Sequence, residues 1–236
     1  MWTREQLKAD AKTAMGRNYW NCVVVGLVWA LLAGVITLTS QVVNVGPRVT
    51  ETINYAGTQV NPVVVSTVLS LSGLSVSLGL VSLLIDLFAR NPLSVGANRF
   101  FLVNAKEPAA LKELIYSFNE KRYLNTVGAV LLKKLFIWLG YIVLIIPGIY
   151  LSYSFRMVEY ILADDPTMNP MEALRKSREM MKGNCWKAFV LDLSFLGWLI
   201  LNAFTFGILG IFYLTPYMRQ TNAGLYNALK AEAQHD

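Results

Sequence analysis

Long apolar stretches alternate with short polar ones along this chain, and the polar stretches carry a helical repeat. No charged residue occurs from Asn18 to Pro47, from Thr52 to Ile85, from Leu135 to Phe155 or from Leu193 to Met218. A helix of about 20 apolar residues crosses a hydrocarbon core, so each run predicts at least one transmembrane helix. Two apolar regions are too long for one. Leu131 to Ala163 is interrupted by Pro147-Gly148, and Trp186 to Leu225 by Gly207 and Gly210, and each predicts a hairpin with a tight turn. The predicted spans are Tyr19–Val43, Pro62–Ala89, Leu124–Ile146, Gly148–Ala163, Trp186–Thr205 and Ile208–Leu225. They describe an all-α, polytopic membrane protein of six transmembrane helices, arranged as three hairpins with amphipathic helices on the cytoplasmic side. The whole of 1–236 is one integral membrane domain, with hairpin units near 1–90, 91–168 and 169–236.

The polar stretches predict helices lying in the cytoplasmic interface. Thr3 and Gln6 form a capping-box pattern, and Trp2 is placed to staple onto Leu7. Leu7, Ala11, Ala14 and Met15 then share a face. Asn169-Pro170 is an N-cap followed by proline at the first helical position, with Met171, Leu174 and Met181 as the apolar stripe. Asn91-Pro92 predicts a third such helix, and Pro108 to Asn119 a fourth. Two of these stretches match. Glu5-x-Leu7-Lys8, Gly16 and Asn18-x-Trp20 align with Glu172-x-Leu174-Arg175, Gly183 and Asn184-x-Trp186, at an offset of 167 residues up to the glycine and 166 after it. The match marks joints where an interfacial helix becomes a span, at Trp20 and again at Gly183 and Trp186. Trp20, Trp186 and Tyr123 stand where interfacial aromatics anchor span ends.

Charge sets the orientation. Lys and Arg accumulate on the cytoplasmic side of a membrane. With six spans and both termini cytoplasmic, every Lys and Arg except Arg48 falls inside or in the inner half of a span. Four spans would export Arg175, Lys176, Arg178, Lys182 and Lys187 together. The expected location is a bacterial cytoplasmic membrane. The first apolar run is too long for the core of a cleavable signal and is expected to remain as the first span. Composition agrees: 55% of residues are hydrophobic and 15% charged, against roughly 25% charged in soluble domains. The net charge of +6 needs no nucleic acid as partner. The basic helices either orient the chain or bind anionic lipid headgroups at the cytoplasmic face, and no protein partner is identifiable. Cys22 and Cys185 each lie near a tryptophan at the start of a span and read as membrane-buried thiols.

Ionisable groups inside spans are costly and are functional hypotheses by default. They are Asp86, Lys133 with Lys134, Arg156, Glu159, Asp192 and Arg219. Arg156 lies eight residues beyond Gly148, about 12 Å below the expected outer turn. It is expected to pair with Glu159, three residues on, or with Asp192 on the next span. Such pairs either dock the hairpins or form a polar site for a small anionic, lipid-like substrate. The single histidine is His235, which removes the commonest catalytic base and metal ligand. No phosphate-binding loop or zinc motif occurs, and no catalytic residue, metal or cofactor is expected. The chain therefore reads as a non-enzymatic structural or accessory membrane protein. A transporter or permeation protein is the alternative, and an intramembrane enzyme comes third.

Several segments carry a resemblance. They are Met1-Trp2-Thr3-Arg4 with Gly16-x-Asn18-Tyr19-Trp20, Asn91-Pro92-Leu93-x-Val95-Gly96, Ile146-Pro147-Gly148-Ile149, Tyr153-Ser154-Phe155-Arg156-Met157, Glu172-Ala173-Leu174-x-x-Ser177 and Leu191-Asp192-Leu193-Ser194-Phe195. With Pro216-Tyr217 and Thr221-Asn222-Ala223, these resemble a bacterial membrane family, the domain of unknown function 975, over nearly the whole chain. The order of Pro147-Gly148-Ile149-Tyr150, Arg156, Ala173-Leu174-x-x-Ser177 and Gly183-x-x-Trp186 is also similar to membrane regions attached to some glycerophosphodiester phosphodiesterases. The first resemblance implies no activity, and the second implies lipid-related surroundings.

Overall fold

Thr3 starts the first helix. A computed structural model of the chain describes residues 2–31, 70, 77 and 79–233, with the side chains of all of these except 120–122. The remainder of the first two predicted spans, the Asn44–Asn61 loop with Arg48, Ser72-Gly73 and His235 lie outside the described residues. The backbone groups into two compact units, Met1–Val28 with Asn91–Asp236, and Trp29–Arg90. Every element among the described residues is helical.

In the first unit, the Thr3 Oγ1 accepts a hydrogen bond from the Gln6 amide at 3.3 Å and opens α1 (Arg4–Arg17). Its predicted stripe of Leu7, Ala11, Ala14 and Met15 is buried. Asn18 ends it, and α2 (Tyr19–Leu31) follows. The second matched stretch behaves similarly. The Asn169 side chain accepts from the Met171 amide at 3.0 Å, and Pro170 begins α7 (Pro170–Met181). Leu174 and Met181 are buried, while Met171 is exposed and off the packed face. Gly183 has φ +76°, a left-handed conformation that glycine adopts without steric cost, and α8 (Cys185–Leu193) follows. The two joints differ in detail, because Gly16 lies within α1 and the break there is at Asn18. Trp20 and Trp186 are 73% and 71% exposed at the starts of their helices.

Asn91-Pro92 does not cap a separate interfacial helix. Helical backbone runs without a break from Gly79 to Asn104. Residues Asp86–Arg90 of it are π-helical, and α3 (Asn91–Asn104) continues from them. Proline lacks an amide hydrogen and its ring crowds the carbonyl four residues earlier, and a π-turn relieves both faults locally. Far from lying on an interface, α3 is central to its unit, with Val95, Ala97, Phe100 and Phe101 fully buried. The predicted helix over Pro108–Asn119 is a 3-10 helix, Leu111–Phe118, pressed against α3 at Gly96.

The third apolar region turns earlier than expected. α4 (Glu120–Val143) and α5 (Ile145–Ser154) meet at Leu144, whose φ of −163° and ψ of 153° are extended. Pro147 is the third residue of α5, where its missing N–H breaks no intrahelical bond. Gly148 serves close packing, since a Cβ there would lie 2.5 Å from the Tyr141 ring. After a turn at Phe155–Met157, α6 (Val158–Asp164) completes the region. In the last region α8 is followed by a break at Ser194-Phe195 and then by α9 (Leu196–Phe204). The predicted turn forms at Thr205–Gly207, with Gly207 at φ +84° and Phe206 at φ +50°. A π-helical stretch, Gly210–Leu214, leads into α10 (Thr215–Glu232).

Three helices among the described residues are long and apolar enough to cross a membrane: Gly79–Asn104, Tyr123–Val143 and Cys185–Phe204. This is fewer than the six predicted. Gly148–Ala163 is cut at Phe155–Met157, and the predicted Ile208–Leu225 runs on into the polar half of α10. The described part of the first span is only Tyr19–Leu31. Only 28% and 17% of the apolar windows in the second and third of these helices are buried, so most of their apolar surface faces outward.

Candidate functional site

Apart from Asp86, the polar residues predicted inside spans gather in the first unit around α6 and the turn before it. Arg156 stands in that turn. Its guanidinium grips Asp192 of α8 with two hydrogen bonds, Nη1 to Oδ2 at 2.6 Å and Nη2 to Oδ1 at 2.7 Å. Nη2 also donates to the Asn222 Oδ1 of α10 at 2.7 Å. The Tyr153 hydroxyl donates to Asp192 Oδ2 at 3.0 Å, and its ring lies 5.6 Å from the guanidinium carbon. This bidentate arrangement is the strongest form of the ion pair, and it joins three helices. Of the two partners expected for Arg156, it takes Asp192. Glu159 does not pair along a helix face with it, because the Phe155–Met157 turn places Arg156 before the start of α6.

Glu159 centres a second cluster. Its Oε1 accepts from Lys133 Nζ of α4 at 2.9 Å. Its Oε2 accepts from Ser94 Oγ at 2.5 Å and from Asn98 Nδ2 at 3.3 Å, both on α3. Arg219 of α10 joins by donating from Nη1 to Asn98 Oδ1 at 3.1 Å. Lys134 donates to Asn91 Oδ1 at 3.0 Å. The acid thus has two cations nearby and two neutral donors. Ser94, Asn98, Tyr153 and Asn222 were not anticipated as members. A signal did exist: Asn91, Ser94 and Asn98 follow helical spacing, and Asn222 stands three residues after Arg219.

Asp86, in the other unit, pairs with Arg90 at 2.9 Å one turn later, and the Arg90 guanidinium lies 5.3 Å from the Trp29 ring centroid.

A third polar group sits at the C-terminal end of α6. Asp164 accepts from the Tyr226 hydroxyl at 3.0 Å and pairs with Lys230. Burial would raise its carboxyl pKa, but the hydrogen bonds from Lys230 and Tyr226, and the charges of Lys230 and Arg99, outweigh this and hold it below its ordinary 3.8. Burial, with Asp164 alongside, raises that of the Tyr226 hydroxyl. A depressed folded-state pKa gives stability that is complete above the unfolded value and lost as pH falls through the folded one. Acid titration of the parent below pH 3.8 should therefore destabilise it more than Asp164→Asn, with thermal denaturation at stepped pH as the measurement.

Three of the cavities among the described residues open on the first unit. One of about 1050 Å³ is walled by α1, the Lys182–Asn184 turn and the end of α10. A second of about 570 Å³ includes Arg99, Lys106, Asp164 and Lys230, and a third of about 280 Å³ lies between Trp2 and Trp186. None of the three is lined by Arg156, Glu159 or Asp192. Among the described residues, no group of three or more His, Cys, Asp or Glu is placed to hold a metal.

Residues 140–233 match the model of a family described as Protein of unknown function (DUF975). The matched segment is narrower than the resemblance read from the sequence. It contains Pro147, Gly148, Arg156, Glu159, Gly183, Trp186, Asp192 and Arg219, and leaves Trp20, Asp86 and Lys133 outside. No curated protein and no solved structure matches the chain. The chain is thus similar, over its C-terminal part, to a family of uncharacterised function.

Proposed function

We propose that this chain is an integral protein of a bacterial cytoplasmic membrane, with six spans and both termini cytoplasmic, in a structural or accessory role and with anionic lipid headgroups as its surroundings. The observation that carries the reading is the pairing of charges. Arg156 with Asp192, and Glu159 with Lys133, are engaged with one another and with neutral partners, Asn222 accepting from Arg156 and Ser94 donating to Glu159. In a low-dielectric setting such closed networks fix how helices dock. A transported solute needs polar groups left open to it, and the described cavities do not reach these residues. The outward apolar surface of Tyr123–Val143 and Cys185–Phe204 supports membrane insertion. The likeness to phosphodiesterase membrane regions is in keeping with a lipid-facing role.

Proteoliposome flux tests the role. The purified chain under an imposed potential or proton gradient should pass protons, phosphate esters and amino acids no faster than protein-free vesicles. A flux that Asp192→Asn abolishes would establish transport instead.

A further inference from the structure

The turn after α9, Thr205–Gly207, makes a set of hydrogen bonds that a turn in water does not need. Every backbone amide from Thr205 to Ile211 has an acceptor inside the chain. Carbonyls take most of them: the Thr205 amide donates to Leu201, Phe206 to Ala203, Gly207 to Asn202, Ile208 to Thr205 and Ile211 to Gly207, at 2.9–3.4 Å. Side chains take the rest. The Leu209 amide donates to Thr205 Oγ1 at 3.3 Å, and the Gly210 amide to Asn202 Oδ1 at 2.5 Å. The Thr205 hydroxyl in turn donates to the Asn202 carbonyl at 3.1 Å. In the charged turn Lys182–Asn184, by contrast, the Gly183 amide has no acceptor among the described residues. The outer surface of the α9 turn is apolar. Phe204, Phe206 and Ile208 are 78%, 96% and 59% exposed. Phe206 holds φ at +50°, which is costly for a bulky L-residue, and its ring gains little contact within the chain in return. No charge occurs from Leu193 to Met218, and exposed Leu199, Ile200 and Leu201 continue the apolar surface along α9. Water would satisfy these amides at any exposed turn. Lipid offers no such partner, so backbone groups beside hydrocarbon must be satisfied internally.

We infer that this turn is a lipid-binding surface, seated at the headgroup–acyl boundary of the outer leaflet with Phe204, Phe206 and Ile208 among the upper acyl chains. The inference rests on the membrane reading above. Cys185–Phe204 is 20 residues long, about 30 Å of helix, which carries the chain from one boundary of the hydrocarbon to the other. Protein partners are held by hydrogen bonds around an apolar centre, and this turn has no free backbone amide or hydroxyl to give one. Its depth is shallow. The Phe204 and Phe206 carbonyls accept no hydrogen bond among the described residues, so they lie where water and headgroup donors still reach them.

The test uses the full chain with Cys22 and Cys185 replaced, in vesicles of phosphatidylglycerol and phosphatidylethanolamine, with the fluorophore bimane on Phe206→Cys. A nitroxide near the headgroup end of the acyl chain should quench it about twofold more than one near the methyl end, as a ring at the boundary requires. Aqueous iodide should quench it far less than it quenches bimane on Lys176→Cys, which is exposed on α7. Adding Phe204→Ser and Ile208→Ser should weaken the lipid quenching, because the chain and not the dye sets the depth. Iodide quenching equal to that at Lys176→Cys would overturn the inference by placing the turn in water. Protection from iodide and nitroxide lipids alike would refute it by covering the turn with protein, and so would lipid quenching unchanged by the two serines, by assigning the depth to the dye. Carbonate washing separates this inference from the reading beneath it. A chain that stays in the vesicles with its turn open to iodide loses the inference alone, and a chain that washes out loses the membrane reading.

Discussion

Asp192→Ala should destabilise the protein by about 3 kcal/mol, because it strands the Arg156 guanidinium in a poorly solvated position. The Arg156 side chain is only 16% exposed, and Asp192 receives both of its terminal nitrogens. The cost should fall toward the low end for such pairs, since Asp192 is itself partly exposed and Asn222 would still accept from Nη2. Removing both charges is a different experiment. Arg156→Met with Asp192→Leu eliminates the desolvation penalty along with the attraction, and such replacements are often neutral or stabilising. The double variant should therefore lie within about 1 kcal/mol of the parent, as read from unfolding in mixed detergent micelles. Retained stability in Asp192→Ala would mean that the pair does not hold α5, α8 and α10 together.

Gly96→Ala should cost about 3 kcal/mol, at the upper end of ordinary overpacking. The added Cβ would stand 1.9 Å from the Leu114 carbonyl oxygen and 2.6 Å from its carbon. Both neighbours are backbone, so no side-chain rotation relieves the contact. The 3-10 helix Leu111–Phe118 must move off α3, uncovering Leu114. The comparison is Gly16→Ala. Gly16 lies inside α1, and a Cβ added there would meet no other atom within 4 Å, so the substitution should stabilise by roughly 0.5–1 kcal/mol through helix propensity. Opposite signs for one chemical change at two helical glycines would trace the difference to contact alone.

These two sites show what the sequence made legible and what it did not. The caps at Thr3 and Asn169 were readable because a short polar side chain next to an apolar periodic run has one good use. The turn around Gly207 was readable too, since a glycine between apolar runs marks a chain reversal. Pro147-Gly148 carried the same signal and meant something else. Proline is tolerated within a helix's first turn, and glycine serves close approach as well as turning, so the reversal fell three residues earlier at Leu144. The central place of α3 was hidden for a related reason. Asn91-Pro92 had the form of the cap that opens a separate interfacial helix, whereas Asn91, Ser94, Asn98 and Arg99 face partners on α4, α6 and α10. Which acid Arg156 takes depended on the Phe155–Met157 turn, which no proline or glycine announces.

The polar clusters themselves were legible as a list of charges and not as a pattern of bonds. Asp86, Lys133, Arg156, Glu159, Asp192 and Arg219 were all visible as charges inside apolar runs. Their division into an Arg156–Asp192 pair, a Glu159-centred network and a local Asp86–Arg90 pair is set by tertiary packing.

Sidedness tests the membrane account most directly. Phe206, 96% exposed in the α9 turn, and Lys176, exposed on α7, fall on opposite sides of the membrane in the six-span arrangement. In intact cells, with Cys22 and Cys185 replaced, a membrane-impermeant maleimide should label Phe206→Cys and should reach Lys176→Cys only after the membrane is opened. Labelling of both positions from the same side would contradict the account.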